Sequence, residues 1–141
     1  MDYPRLAINL PVADPAAALA FYTSAFGATE RYRLTRPNET EVIHAEFTIG
    51  EALVTISKSS SPIAPSPSAP QILLLCDDVD ATFDRAVKAG AVVARAVKNE
   101  YHGHRCGSLR DPAGHEWMLH QQLEALTPTE IQTRLAKPAE R

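Results

Sequence analysis

The stretches "INLPVADPAAALAFYTSAFGA" (8–28) and "ILLLCDDVDATFDRAVKAGA" (72–91) read as two versions of one unit. Each opens with a short apolar run and reaches an aspartate, Asp14 or Asp78. A helical pattern follows and ends in Phe26-Gly27-Ala28 or Ala89-Gly90-Ala91. The aspartates stand 64 positions apart and the glycines 63. Both aspartates occupy the place of an N-cap acceptor, and Pro15 suits a first helical turn. Gly27 and Gly90 suit the left-handed residue that closes a helix. The apolar stripes are Ala18, Leu19, Phe21, Tyr22 and Phe26 in the first helix, and Val79, Phe83, Ala86 and Val87 in the second.

Downstream of each helix the likeness continues. "EVIHAEFTIGEALVTIS" (41–57) and "CGSLRDPAGHEWMLHQ" (106–121) each read as two strands about a glycine turn, with Gly50 and Gly114 again 64 apart. The expected fold is α+β: two βαβββ repeats forming a curved mixed sheet that encloses a cavity. One domain of 141 residues is expected, with repeat one at 5–57, a linker at 58–70, repeat two at 71–122 and a C-terminal helix at 127–136. The linker region "SKSSSPIAPSPSAP" (57–70) holds four prolines and six serines, the composition of an extended tether. A lid over a site is the alternative. Thr127-Pro128-Thr129-Glu130 is a capping box that opens the last helix. Its apolar edge, Ile131 and Leu135, suits packing on the domain or on a second subunit.

The totals narrow the function. Apolar residues make up 45% and the net charge is −3, which fits a globular chain and disfavours nucleic acid as a partner. The longest clean apolar run, Ile72 to Cys76, is far too short to cross a membrane. The opening "MDYPRLAINL" lacks the layout of a secretory leader, so a cytoplasmic location is expected. Cys76 and Cys106 then read as free thiols, Cys76 in the core and Cys106 in an exposed glycine-flanked segment.

"AAALAFYTSAFGA", "HAEFTIGEALVTIS", "CDDVDATFDRAVKAGA", "GHRCGSLRDPAGHEW" and the tail "LEALTPTEIQTRL" resemble the vicinal oxygen chelate superfamily, which holds glyoxalase I, bleomycin-resistance proteins and extradiol dioxygenases. The resemblance is closer to its PhnB-like branch and covers nearly the whole chain. Metal-dependent members carry ligands on the first and last strand of each unit, usually His or Gln and then Glu or His. The resemblance places those positions on Ala7 and Gln71, on Val54 or Thr55, and on Met118. Only Gln71 is a metal-ligand type, so no metal and no cofactor are expected.

Four of the five histidines fall in "YHGHRCGSLRDPAGHEWMLH" (101–120). Strand alternation puts Trp117 and Leu119 on one face and Glu116, Met118 and His120 on the other. The resemblance makes Met118 an inward position, which implies that Glu116 and His120 look into the cavity and that Trp117 and Leu119 pack under a helix. Glu116 and His120 are then roughly 13 Å apart, too far to share one ion. His102-Gly103-His104 resembles a metal motif without its partners. With Gly103 and Gly107 suggesting a turn or bulge, it reads as a solvated loop. His115 reads as exposed, and Arg110-Asp111 as a local ion pair. His44 faces either the cavity or the helix; alternation alone leaves both open.

The expected function is metal-independent binding of an apolar or aromatic small molecule by a homodimer. Its expected ligand-binding residues are Asn9, Gln71, Leu73, Arg105, Glu116, Met118 and His120, with Pro11 and Leu75 on the wall. Arg105 would hold an anionic group at the rim, unless it is a surface residue. The alternative is an enzyme of lyase, isomerase or dioxygenase type, either metal-free with Glu116 or His120 as general base or metal-dependent.

Overall fold

Asp14 and Asp78 each turn a side-chain oxygen onto a backbone N–H three residues on, that of Ala17 or Ala81, and so start a helix. In the computed structural model, which describes residues 1–61 and 69–137, these helices sit in matching places. The first module is β1 (Ile8–Val12), α1 (Pro15–Phe26), β2 (Thr29–Thr35), β3 (Val42–Ile49) and β4 (Ala52–Lys58). The second is β5 (Ile72–Leu75), α2 (Val79–Lys88), β6 (Val92–Asn99), β7 (His104–Arg110) and β8 (Glu116–Gln122). A last helix, α3, spans Pro128–Leu135. Gly27 closes α1 at φ 68°, a conformation that costs glycine nothing.

The strands form two four-stranded mixed sheets, ordered β1-β4-β3-β2 and β5-β8-β7-β6. In each, the first strand runs parallel to the last and the remaining pairs are antiparallel. The registers correspond: Asn9 lies beside Thr55, and Leu73 beside Met118.

α1 is apolar nearly all round and buries Pro15, Ala18, Leu19, Phe21, Tyr22, Ala25 and Phe26. Such a helix needs cover on more than one side. Tyr22 stacks on Phe47 of β3 at 5.1 Å between ring centroids, and Phe26 meets Trp117 of β8 at 4.6 Å. α1 therefore joins the helix-side faces of both sheets in one core. α2 buries Val79, Thr82, Phe83 and Ala86 on one arc. Val87, expected in that stripe, is exposed: one residue past Ala86 turns about 100° out of the arc.

A buried carboxylate ties the modules together. Asp111, just after β7, accepts from the Tyr22 hydroxyl at 2.5 Å and from Trp117 Nε1 at 2.9 Å. Its other oxygen accepts the turn N–H groups of Ala113 and His115. Among the described residues the expected Arg110–Asp111 ion pair does not form, because neighbours on an extended chain point to opposite faces. Arg110 instead faces Glu116 at 4.0 Å. His115, expected to be exposed, is half-buried, with Nε2 2.8 Å from the Pro11 carbonyl oxygen.

The capping box of α3 forms as expected, with Thr127 and Glu130 exchanging backbone contacts. None of its residues is buried, and among the described residues its apolar edge is only partly covered, Ile131 being half-buried and Leu135 exposed. The tether-or-lid question for the 58–70 linker falls largely on residues 62–68, outside the described residues.

Candidate functional site

The face of each sheet opposite the helices collects the candidate residues. On the first sheet, period-two alternation sends Ala45 and Phe47 into the core and His44 and Glu46 outward. His44 pairs across strands with Ser57, and Glu46 with Thr55. The result is a continuous polar chain. Thr55 and Ser57 donate to Asn9 Oδ1 at 2.6 and 3.1 Å. His44 Nδ1 lies 3.1 Å from Ser57 Oγ, and its Nε2 lies 3.2 Å from Glu46 Oε2. The Tyr32 and Tyr3 hydroxyls donate to the same Glu46 oxygen at 2.7 and 3.2 Å. Arg31 stands 3.7 Å from the other oxygen.

Glu46 is only 4% exposed. Burial alone raises its pKa, but hydrogen bonds from Tyr32, His44 and Tyr3 outweigh it and hold the carboxyl below its usual range. Of this group only Asn9 is a residue the sequence singled out for the site, with His44 undecided. Glu46, Ser57 and Tyr32 are additions. The signal was available: in "HAEFTIG" the polar positions alternate with Ala45 and Phe47.

On the second sheet Leu73 and Leu75 are about half exposed, with Met118 beside Leu73 in register. Gln71 bonds Glu116 at one end of this strip. At the other end His120 is nearly buried, with Nδ1 3.0 Å from His104 Nδ1 and its ring stacked on His102 at 5.8 Å. Among the described residues His120 Nε2 has no hydrogen-bond partner. The solvated-loop reading of His102 and His104 is thus corrected: both pack on His120, and His104 begins β7.

Arg105 is a second correction: the rim reading falls, and its surface alternative holds. It points to the helix side, where its guanidinium grips Asp80 of α2 at 2.8 and 2.9 Å and Asn99 at 3.0 Å. It does not stand at the rim beside Met118. Cys106 is a third: it is 1% exposed, and burial pushes its thiol up from the ordinary pKa.

The strand register also decides which first-sheet residue stands at the expected metal position. Val54 lies in the core, so Thr55 is on the outward face. Ala7, Thr55, Gln71 and Met118 do not make a donor set for a divalent ion. Among the described residues no three His, Cys, Asp or Glu side chains could hold one. The rings of His102 and His120 lie 13° from parallel, so their in-plane lone pairs do not converge.

The family model of the Glyoxalase/Bleomycin resistance protein/Dioxygenase superfamily matches residues 6–119. The chain belongs to this superfamily. A protein of Mycobacterium bovis, described only as uncharacterized, is 35% identical over 94% of this chain and 93% of its own length. Among solved structures, TioX from Micromonospora sp. ML1 matches at TM-score 0.68 and 25% identity, over 86% of this chain and all of that one. The fosfomycin resistance protein FosX from Mesorhizobium loti shares the fold at TM-score 0.68 and 23% identity, over 97% of this chain and all of that one.

The histidine cluster of this superfamily member should make it acid-sensitive. Burial, followed by the neighbouring His104 and His102, holds His120 below the ordinary 6.5; Arg95 lowers it further and Glu100 opposes. His102 is lowered too, by burial first. The unfolded chain then binds more protons than the folded one, so stability is complete above about pH 6.5 and falls as pH drops below it. Glu46 has the same sign but acts in a lower window, below its ordinary 4.5. Thermal melting from pH 8 to 5 should show the midpoint falling on the acid side, and His120→Gln should flatten that slope. A flat wild-type profile would contradict this account.

Proposed function

We propose that this protein is a metal-independent small-molecule-binding member of its superfamily, of the PhnB-like branch, acting in the cytoplasm as a homodimer. The observation that carries the reading is the half-exposed apolar strip of Leu73, Leu75 and Met118, bounded by Gln71–Glu116 at one end and the imidazoles at the other. An apolar floor with a few polar groups at its margins suits a flat apolar or aromatic ligand. Because α1 joins the helix sides of both sheets, their outward faces do not close on each other. A second copy would supply the missing wall and cover the exposed edge of α3. Gln71, Leu73, Glu116, Met118 and His120 are the proposed contacts on one wall and Asn9 on the other. Support for the compartment is the pair of free thiols, Cys76 and Cys106.

Met118→Lys tests the wall. With the face open to water, the new ammonium can stay hydrated in the free protein, so the fold should survive. Affinity for an apolar fluorophore such as anilinonaphthalene sulfonate should drop at least about tenfold, a loss of about 1.4 kcal/mol. Light scattering should give twice the 15.4 kDa chain mass. Unchanged fluorophore binding, or a monomer at all working concentrations, would count against the reading.

A further inference from the structure

We propose that Ser57, His44 and Glu46 form a metal-free nucleophile–base–carboxylate unit that hydrolyses small neutral carboxylic esters through an acyl-Ser57 intermediate. This goes beyond ligand binding and needs only the first sheet. The three residues share one face by strand geometry: His44 and Glu46 are two apart on β3, and Ser57 is the cross-strand neighbour of His44. The imidazole stands between the other two, 3.1 Å from the hydroxyl and 3.2 Å from the carboxylate. A nucleophile in reach of a base, with the base oriented by a third group, is the arrangement that activates a hydroxyl.

The burial gradient is what a purely structural polar cluster would not need. Glu46 is almost fully buried and held by two tyrosine hydroxyls, whereas Ser57 is partly open and Asn9 is exposed. The anchored end fixes the imidazole, and the open end can meet a substrate. With Glu46 accepting the Nε2 proton, the Nδ1 lone pair faces Ser57, whose single hydroxyl proton turns from Asn9 Oδ1 to Nδ1 for the reaction. Asn9 sits on the other side of Ser57 at 3.1 Å. A half-turn of its carboxamide would present N–H donors where the ester oxygen gains charge. The negative carboxylate nearby favours a neutral ester over an anionic one.

In the first step Ser57 Oγ bonds to the ester carbonyl carbon as its proton passes to His44 Nδ1. The bond from that carbon to the alkoxy oxygen breaks, and the leaving alcohol takes the proton. In the second step water gives a proton to Nδ1 and its oxygen bonds to the acyl carbon. The bond to Ser57 Oγ breaks, Oγ recovers the proton, and a carboxylic acid departs. No oxidant, reductant or further reactant is consumed.

The test uses the full chain with p-nitrophenyl butyrate and a fluorophosphonate probe. The expected results are nitrophenolate release, a butyryl adduct on the peptide holding Ser57, and phosphonylation at that residue. Ser57→Ala should abolish adduct and turnover, and His44→Gln should lower kcat at least about a hundredfold. Circular dichroism and melting would confirm that both variants fold. Glu46→Gln, a positioning change, should slow phosphonylation of Ser57 as well as turnover. Absence of turnover and labelling in the wild type would overturn the proposal. So would turnover that survives Ser57→Ala, since the nucleophile would then be water or another group.

Discussion

Trp117→Ala is expected to cost about 3–5 kcal/mol of stability. The indole is 1% exposed and packs against both Tyr22 and Phe26 of α1, with ring centroids at 5.5 and 4.6 Å. It is the main second-sheet aromatic in contact with the helix that joins the modules. Truncation removes its dispersion contacts and leaves a cavity that α1 cannot fill without leaving Phe47. It also removes the N–H that Asp111 accepts. Urea denaturation should show a lower midpoint with little change in slope. Because Trp117 and Met118 lie on opposite faces of β8, ligand binding should fall only as the fraction folded falls. A loss below about 1 kcal/mol would mean that the two sheets do not share this core.

Asp111→Ala is expected to be comparably severe, at about 3 kcal/mol or more. Its two oxygens satisfy four donors: the Tyr22 hydroxyl, Trp117 Nε1, and the backbone N–H groups of Ala113 and His115. Alanine leaves the first two buried without a partner and frees the turn before β8. Burial and then the adjacent Asp111 charge push the Tyr22 pKa up, so the hydroxyl stays a donor. Tyr22→Phe removes one donor together with its need for an acceptor and should cost less. The double variant Tyr22→Phe with Asp111→Ala should therefore be less destabilised than the sum of the singles. Strict additivity in denaturant melts would contradict a shared hydrogen-bond knot.

Sequence alone determined the doubled unit, its helix starts and stops, and that Trp117 and Leu119 share a face opposite Met118. These features depend on chemistry within a few residues: an Asp before a helix, a glycine at positive φ, a period of two along a strand. Asn9, Leu73 and Met118 are expected together on a cavity wall, Met118 through the family resemblance rather than through local periodicity.

Tertiary structure decided which outward residues meet, and which of the expected site residues do not belong there. The glycines around Cys106 suggested a turn or bulge, which obscured the parity of Arg105. The structure keeps β7 in unbroken register with β8 and puts the irregularity in β6, between Val93 and Lys98. Gly107 is needed because a Cβ there would lie 2.8 Å from the Arg95 carbonyl oxygen of that irregular strand. With β7 regular, Arg105 falls on the helix side against Asp80, while His104 joins His120. Likewise Asn9 meets Ser57 only because β1 runs parallel to β4, bringing together residues 48 positions apart. Local periodicity assigns a face to each residue. The register between distant strands assigns its neighbour, and long-range pairing over the whole module sets that register.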